Sequence, residues 1–187
     1  MIPRFREDKT TDAALLLIQL AGGEINYMKM IKLLYLVDRE ALNRWGQPVT
    51  FDEYFSMDHG PVLSRTLDLI NEGTRPGRSS FWHQNISAPE EYVVTALQPT
   101  GADSLSDAEM DLIREVHHQY GHTPKWELVD MLHKMLPEWA DPHGSCAPIA
   151  YGDILAAVGK DAMEVQCIRC ELDLIAYVDE RLSEETL

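Results

Sequence analysis

Basic residues are scarce in this chain: Lys and Arg number 16 against 31 Asp and Glu in 187 residues, a formal net charge of −15. Such a surface repels phosphate, so a nucleic-acid role needs a local basic patch, and no clustered run of Lys or Arg supplies one. Cysteine is scarce too. Cys146, Cys167 and Cys170 are odd in number and too sparse for the framework of a small secreted protein, so they are expected to stay reduced. No stretch reaches the roughly 20 apolar residues that a bilayer-spanning helix requires. Met1-Ile2-Pro3-Arg4 leads into charged residues rather than an apolar signal core. The expected location is therefore cytoplasmic, with no membrane partner. G-x-S-x-G, H-E-x-x-H, a phosphate-binding glycine loop and a nucleotide fingerprint are all missing. Neither an active site nor a cofactor site is visible.

What is present suits one folding unit spanning residues 1–187. Apolar residues make up 45% of the chain, enough for a real core at this length. Charge is uneven along it: up to Arg78 there are 10 basic against 11 acidic residues, net −1, and from Ser79 onward 6 against 20, net −14. An acidic second half suits a basic protein partner, whose approach it would steer.

Periodicity predicts a predominantly α-helical α+β domain with a small antiparallel sheet. Thr10 or Thr11 can cap a first helix through Ala14, Leu17, Ile18 and Ala21, stopped by Gly22-Gly23. Met30, Leu33, Leu34, Val37 and Ala41 form the apolar stripe of a core-facing helix, with Lys32, Asp38, Arg39 and Arg44 off that stripe, and Gly46 ends it ahead of Pro48. Phe51 to Met57, Phe81 to Ile86 and Tyr92 to Leu97 read as strands of one sheet. Pro61 suits the first position of a helix opened by His59-Gly60-Pro61-Val62 and buried through Leu63, Thr66, Leu67 and Ile70. Residues 74–80, rich in Gly, Pro, Arg and Ser, read as an exposed loop.

Later signals are clearer. Ser106 with Glu109 is a capping box ahead of Met110, Ile113, Val116 and Tyr120. Thr123 and Pro124 open a helix whose buried stripe is Trp126, Val129, Leu132 and Leu136, and Pro137 ends it. Asp153 to Leu155 reads as a short helix. Asp161 with Glu164 opens a final helix over about 161–182, with Ile168, Leu172, Ile175 and Leu182 facing inward.

The order of parts in Lys32 to Ile70, KLLYLVDREALNRWGQPVTFDEYFSMDHGPVLSRTLDLI, resembles the Panacea domain of SocA-like antitoxins. LSDAEMDLIREVHHQYG, TPKWELVDMLHKMLPEWADP and PIAYGDIL extend that resemblance in the same order, so it covers about residues 15–155, and HGPVLSRTLDLI is its most specific piece. Ala150 stands where the family leads one to expect a serine cap. The resemblance implies an antitoxin that binds and inactivates a protein toxin encoded beside it. In some members the toxin is instead handed to a Clp-type protease, and the same fold occurs in phage-associated proteins.

Other constellations are weaker. His117, His118, His122, His133 and His143 with Cys146 can be drawn as a zinc cluster, but the spacing lacks a paired C-x-x-C to support it. Cys167 and Cys170 fall inside a predicted helix rather than at its start, where a thiol is activated, and read as buried or half-buried structural residues. Ser56, Asp58, His59 and Ser64 sketch a nucleophilic triad on paper, yet sequence adjacency tends to point Asp58 and His59 apart. Gly22-Gly23 resembles a helix-turn-helix turn with Asn26, Lys29, Lys32 and Arg39 toward a groove, the basis of an alternative role as a DNA-binding autoregulator. The following helix is too apolar for that, and reads as the core helix. For partner binding the residues singled out are Asp58, His59 and Arg65 at the HGP elbow, Arg75 and Arg78 in the loop, and Phe81 and Trp82 beside it. Trp126 and Trp139 are expected in the core.

Overall fold

The computed structural model describes residues 3–72, 80–98 and 103–184. The elements run α1 (Glu7–Leu20), β1 (Glu24–Asn26), α2 (Tyr27–Trp45), β2 (Tyr54–Met57), β3 (Gly60–Leu63) and α3 (Ser64–Glu72). They continue α4 (Phe81–Asn85), β4 (Val93–Thr95), α5 (Asp107–Tyr120), α6 (Lys125–Met135), β5 (Ala147–Ile149), α7 (Tyr151–Ala157) and α8 (Ala162–Glu184). The predominantly helical α+β class expected from periodicity is what forms.

At the centre lies α2, packed against α1, α5, α6, α7 and β3. Asn26 caps its start by accepting from the Met28 amide at 3.1 Å, and Gly46, at φ 70°, closes it in the left-handed conformation that glycine takes without steric cost. Because α2 is enclosed on several sides, its burial exceeds one stripe. Lys32 and Asp38, expected off the stripe, are both buried.

Strand pairing departs from the single sheet expected. Among the described residues two antiparallel sheets form: β1 with β4, in register Ile25↔Val94, and a three-stranded sheet in the order β3-β2-β5, in register Tyr54↔Leu63 and Tyr54↔Ile149. Residues 81–86 are not a strand. Ser80 caps a helical turn there through the His83 amide, and Asn85 Nδ2 donates to the Phe81 carbonyl at 2.8 Å, so side-chain bonding overrides the apolar, β-branched pattern. Nor does Pro61 begin a helix. It pairs with Ser56 on β3, an edge strand, where the missing amide hydrogen leaves no ladder bond unmade, and α3 starts at Ser64.

Several ends follow the sequence. The Ser106–Glu109 capping box is present, with the Ser106 amide donating to Glu109 Oε2 at 2.8 Å, and Asp161 and Glu164 make the same exchange ahead of α8. Thr10 and Thr11 instead lie inside α1, donating to the Arg6 and Glu7 carbonyls one turn back. Ala150 leaves α7 half capped, the Asp153 carboxylate accepting from the Ala150 amide. In α6, Leu128 fills the buried position expected of Trp126, which stands outside at 54% exposure. Leu172 is buried on α8 as expected, while Leu182 is exposed.

Candidate partner-binding site

The β2–β3 hairpin turns through Asp58 and His59 and is braced from beneath by buried polar groups. Lys32 reaches from α2 to donate its amine to the Pro61 carbonyl at 2.7 Å. Gly60 lies beside it. A Cβ at Gly60 would sit 3.4 Å from Lys32 Cε and 3.6 Å from its Nζ, at a φ of +94° that L side chains rarely adopt. Burial pushes the Lys32 amine down to about 7. His133 Nε2 faces the same spot and has no hydrogen-bond partner among the described residues. Burial first, and the nearby Lys32 charge second, lower the His133 pKa.

Two carboxylates fix the strands leading into the hairpin. Asp38 accepts from the Val49 amide at 2.8 Å, the Thr50 amide at 3.0 Å, the Thr50 hydroxyl and the Tyr54 hydroxyl at 2.9 Å. Burial raises its pKa to about 6 against the downward pull of those bonds. Asp52 caps α3 from outside the helix, accepting from the Arg65 amide at 2.8 Å, the Thr66 amide at 2.9 Å and the Thr66 hydroxyl at 2.7 Å. Burial raises this carboxyl as well.

The outer side of the hairpin is aromatic. His59 meets Trp126 edge to face at 5.3 Å, and Lys125 lies 4.6 Å over the Trp126 ring and 5.9 Å over Tyr92. Tyr92 is itself 59% exposed. Behind the turn, His133 and Trp139 stack at 3.9 Å, and Trp139 Nε1 donates to the Met57 carbonyl at 3.1 Å. The Gly144 amide donates to Asp58 at 2.9 Å, which ties the segment after Trp139 to the turn. Glu138 anchors that segment to α2, accepting from Arg39 at 2.7 Å and from the Tyr35 hydroxyl at 3.0 Å.

Among the residues singled out from sequence, Asp58 and His59 sit on this face. Arg65 is exposed at the opposite, open end of the hairpin, paired with Glu53 at 3.2 Å. Phe81 is exposed on α4, which packs on α1. Trp82 is a correction: it lies in the core at 1% exposure, because α4 turns it inward, and so offers no surface anchor. Arg75 and Arg78 lie outside the described residues, as does most of the loop expected at 74–80. Trp126, Tyr92 and Lys125 are the site residues that sequence reasoning missed. Trp126 fell at core spacing, and only the exposed neighbours His59 and Lys125 reveal its setting.

Other constellations resolve differently from the sequence. Cys167 and Cys170 are exposed rather than buried, since they lie on the outer side of α8. Among the described residues no three His, Cys, Asp or Glu are grouped to hold a metal ion. Ser56 is buried and accepts from the Ala140 amide at 3.3 Å, so the paper triad does not assemble. The would-be groove residues turn inward: Asn26 caps α2, Lys29 donates to the Gly121 carbonyl, Lys32 to Pro61 and Arg39 to Glu138. Among the described residues no helix is long and apolar enough to cross a membrane.

The hairpin is thus braced on its inner side by buried polar groups and flanked on its outer side by exposed aromatic side chains. The family described as antitoxin SocA-like, Panacea domain, matches residues 30–140, from the middle of α2's first turns to the segment after Trp139. That span exceeds half of the chain, and the protein belongs to this family of SocA-like antitoxins. No curated protein and no solved structure matches it.

Proposed function

We propose that the protein is the antitoxin of a toxin–antitoxin pair, a binder rather than an enzyme, which neutralises a protein toxin encoded beside it in the cytoplasm. The His59–Trp126 pair carries this reading: an exposed aromatic contact between the HGP segment and the tryptophan-bearing helix of a domain belonging to an antitoxin family. Tryptophan and tyrosine on a rigid support make strong anchors because they bury large area at small entropic cost. Asp58, His59, Tyr92 and Trp126 form the centre of the proposed contact. Arg65 and Phe81 are exposed candidates for its periphery, and Arg75 and Arg78 complete the set proposed from the sequence. The acidic second half favours a toxin with a basic face, whose association weakens as salt screens the attraction.

Co-expression with the neighbouring reading frame, in a host that its product alone arrests, tests the reading. The expected result is restored growth with a complex that co-purifies. Growth restored without a complex, together with loss of the toxin that depends on a Clp protease, replaces direct neutralisation by proteolytic delivery. A neighbour that is harmless alone removes the support for an antitoxin at this locus.

A further inference from the structure

Helix α8 has two apolar faces. Val165, Ile168, Leu172, Ile175 and Ala176 pack toward the body of the protein. Met163, Cys167, Cys170, Leu174, Tyr177 and Val178 are exposed, Met163 at 76% and Leu174 at 63%. From Met163 to Tyr177 the steps alternate four and three, the spacing of a two-helix seam. At 100° per residue this set centres on the side of α8 opposite the packed one. The seam runs about 21 Å, from a rise of about 1.5 Å per residue. Surface this apolar in one continuous strip marks a contact site.

Charge selects the occupant. Glu171 borders the strip on one side and Glu180 on the other; both are exposed and neither pairs with a cation among the described residues. Glu164, also on the border, reaches Lys160 at 3.8 Å. At the C-terminal end Arg181 lies over the Tyr177 ring, 5.6 Å from its centroid. An antiparallel second copy would set these carboxylates against their own equivalents, a parallel one would set Glu171 against Gln166 and offer it no cation, and an anionic membrane surface would be repelled. We propose that the outer strip of α8 docks an amphipathic helix of a partner protein whose apolar seam is flanked by lysine or arginine. This goes beyond the antitoxin reading: α8 lies wholly outside residues 30–140, and the docking holds whatever meets the hairpin.

The probe is a pair of synthetic helical peptides of about three heptads, leucine at the seam positions, one flanked by lysine and the other by glutamate. Fluorescence anisotropy against the full-length protein is expected to show binding of the lysine-flanked peptide alone, weakening as salt rises. Leu174→Asp is expected to weaken it at least about tenfold, on the order of 1.4 kcal/mol. Because Leu174 is exposed, the thermal unfolding midpoint should not move. Glu171→Lys combined with Glu180→Lys should transfer the preference to the glutamate-flanked peptide. Equal binding of both peptides, absence of binding, or binding indifferent to Leu174→Asp overturns the proposal. So does a dimer of the protein in sedimentation that Leu174→Asp dissolves, which assigns the strip to a second copy. No toxin takes part, so the outcome is independent of growth rescue.

Discussion

The β2–β3 hairpin and α8 both present apolar side chains outward, but they are supported in different ways. The hairpin rests on buried polar groups that each bridge distant segments: Lys32 to Pro61, Asp38 to residues 49–54, and Asp52 to the start of α3. α8 rests on one apolar stripe beside α7, and a groove of about 580 Å³ opens between it, β2, β5 and α7. Buried hydrogen bonds have direction, so they hold the hairpin in one conformation, whereas apolar contact tolerates sliding. The difference teaches where each proposed contact would get its specificity. His59 and Trp126 are preorganised by the brace, and α8 selects through the charges bordering its strip.

Removing the brace should have the largest effect. Asp38→Ala leaves the Val49 and Thr50 amides and the Tyr54 hydroxyl without their acceptor, and should destabilise the protein by about 3 kcal/mol or more. Urea unfolding measures it; a change under about 0.5 kcal/mol would mean that the loop repairs itself. Gly60→Ala should cost less, about 1–2 kcal/mol, through strain at positive φ, since the added Cβ would meet Lys32 at ordinary contact distance. The same substitution at Gly159, also at positive φ but with open space around it, should cost about as much.

Lys32 predicts a pH signature. Its amine titrates near 7 in the folded protein against an ordinary 10.5, so between those values the unfolded chain binds more protons, and stability rises with pH. Lys32→Met should remove that rise. Asp38 acts in a lower window with the opposite sign: with its folded pKa raised from 3.8 to about 6, the folded chain binds more protons there, and its contribution falls as pH rises through that range. Unfolding curves from pH 4 to 10 for the wild type and Lys32→Met distinguish the two groups. A Lys32→Met curve parallel to the wild type above pH 7 would show that the amine stays solvated.

Helix ends that carry their own signal were legible in the sequence. Gly46, the Ser106–Glu109 box and the Asp161–Glu164 box act through bonds spanning a few residues, and each stands where local pattern put it. Features fixed from afar were not legible. Lys32 and Asp38 look like solvated positions on a helix, and only the loops that cross α2 reveal that both are enclosed. Trp82 and Trp126 exchange their expected settings for the same reason, since the side of α4 or α6 that faces the core is set by neighbouring elements rather than by spacing alone. Of the candidate site, Asp58 and His59 were found through the HGP segment. Trp126 joins them only through the tertiary fold, which brings the first turn of α6 against the hairpin turn, and Tyr92 joins in turn through Lys125.

The most direct test of the central claim compares the wild type with a His59→Ala, Trp126→Ala double variant for binding to the neighbouring gene's product. Both side chains are exposed, so the thermal unfolding midpoint should be preserved. Affinity should fall about thirtyfold or more, the loss of about 2 kcal/mol or more that marks an anchor pair, and growth rescue should fail. A folded double variant that binds and rescues as the wild type does would contradict the account and move the contact away from the hairpin.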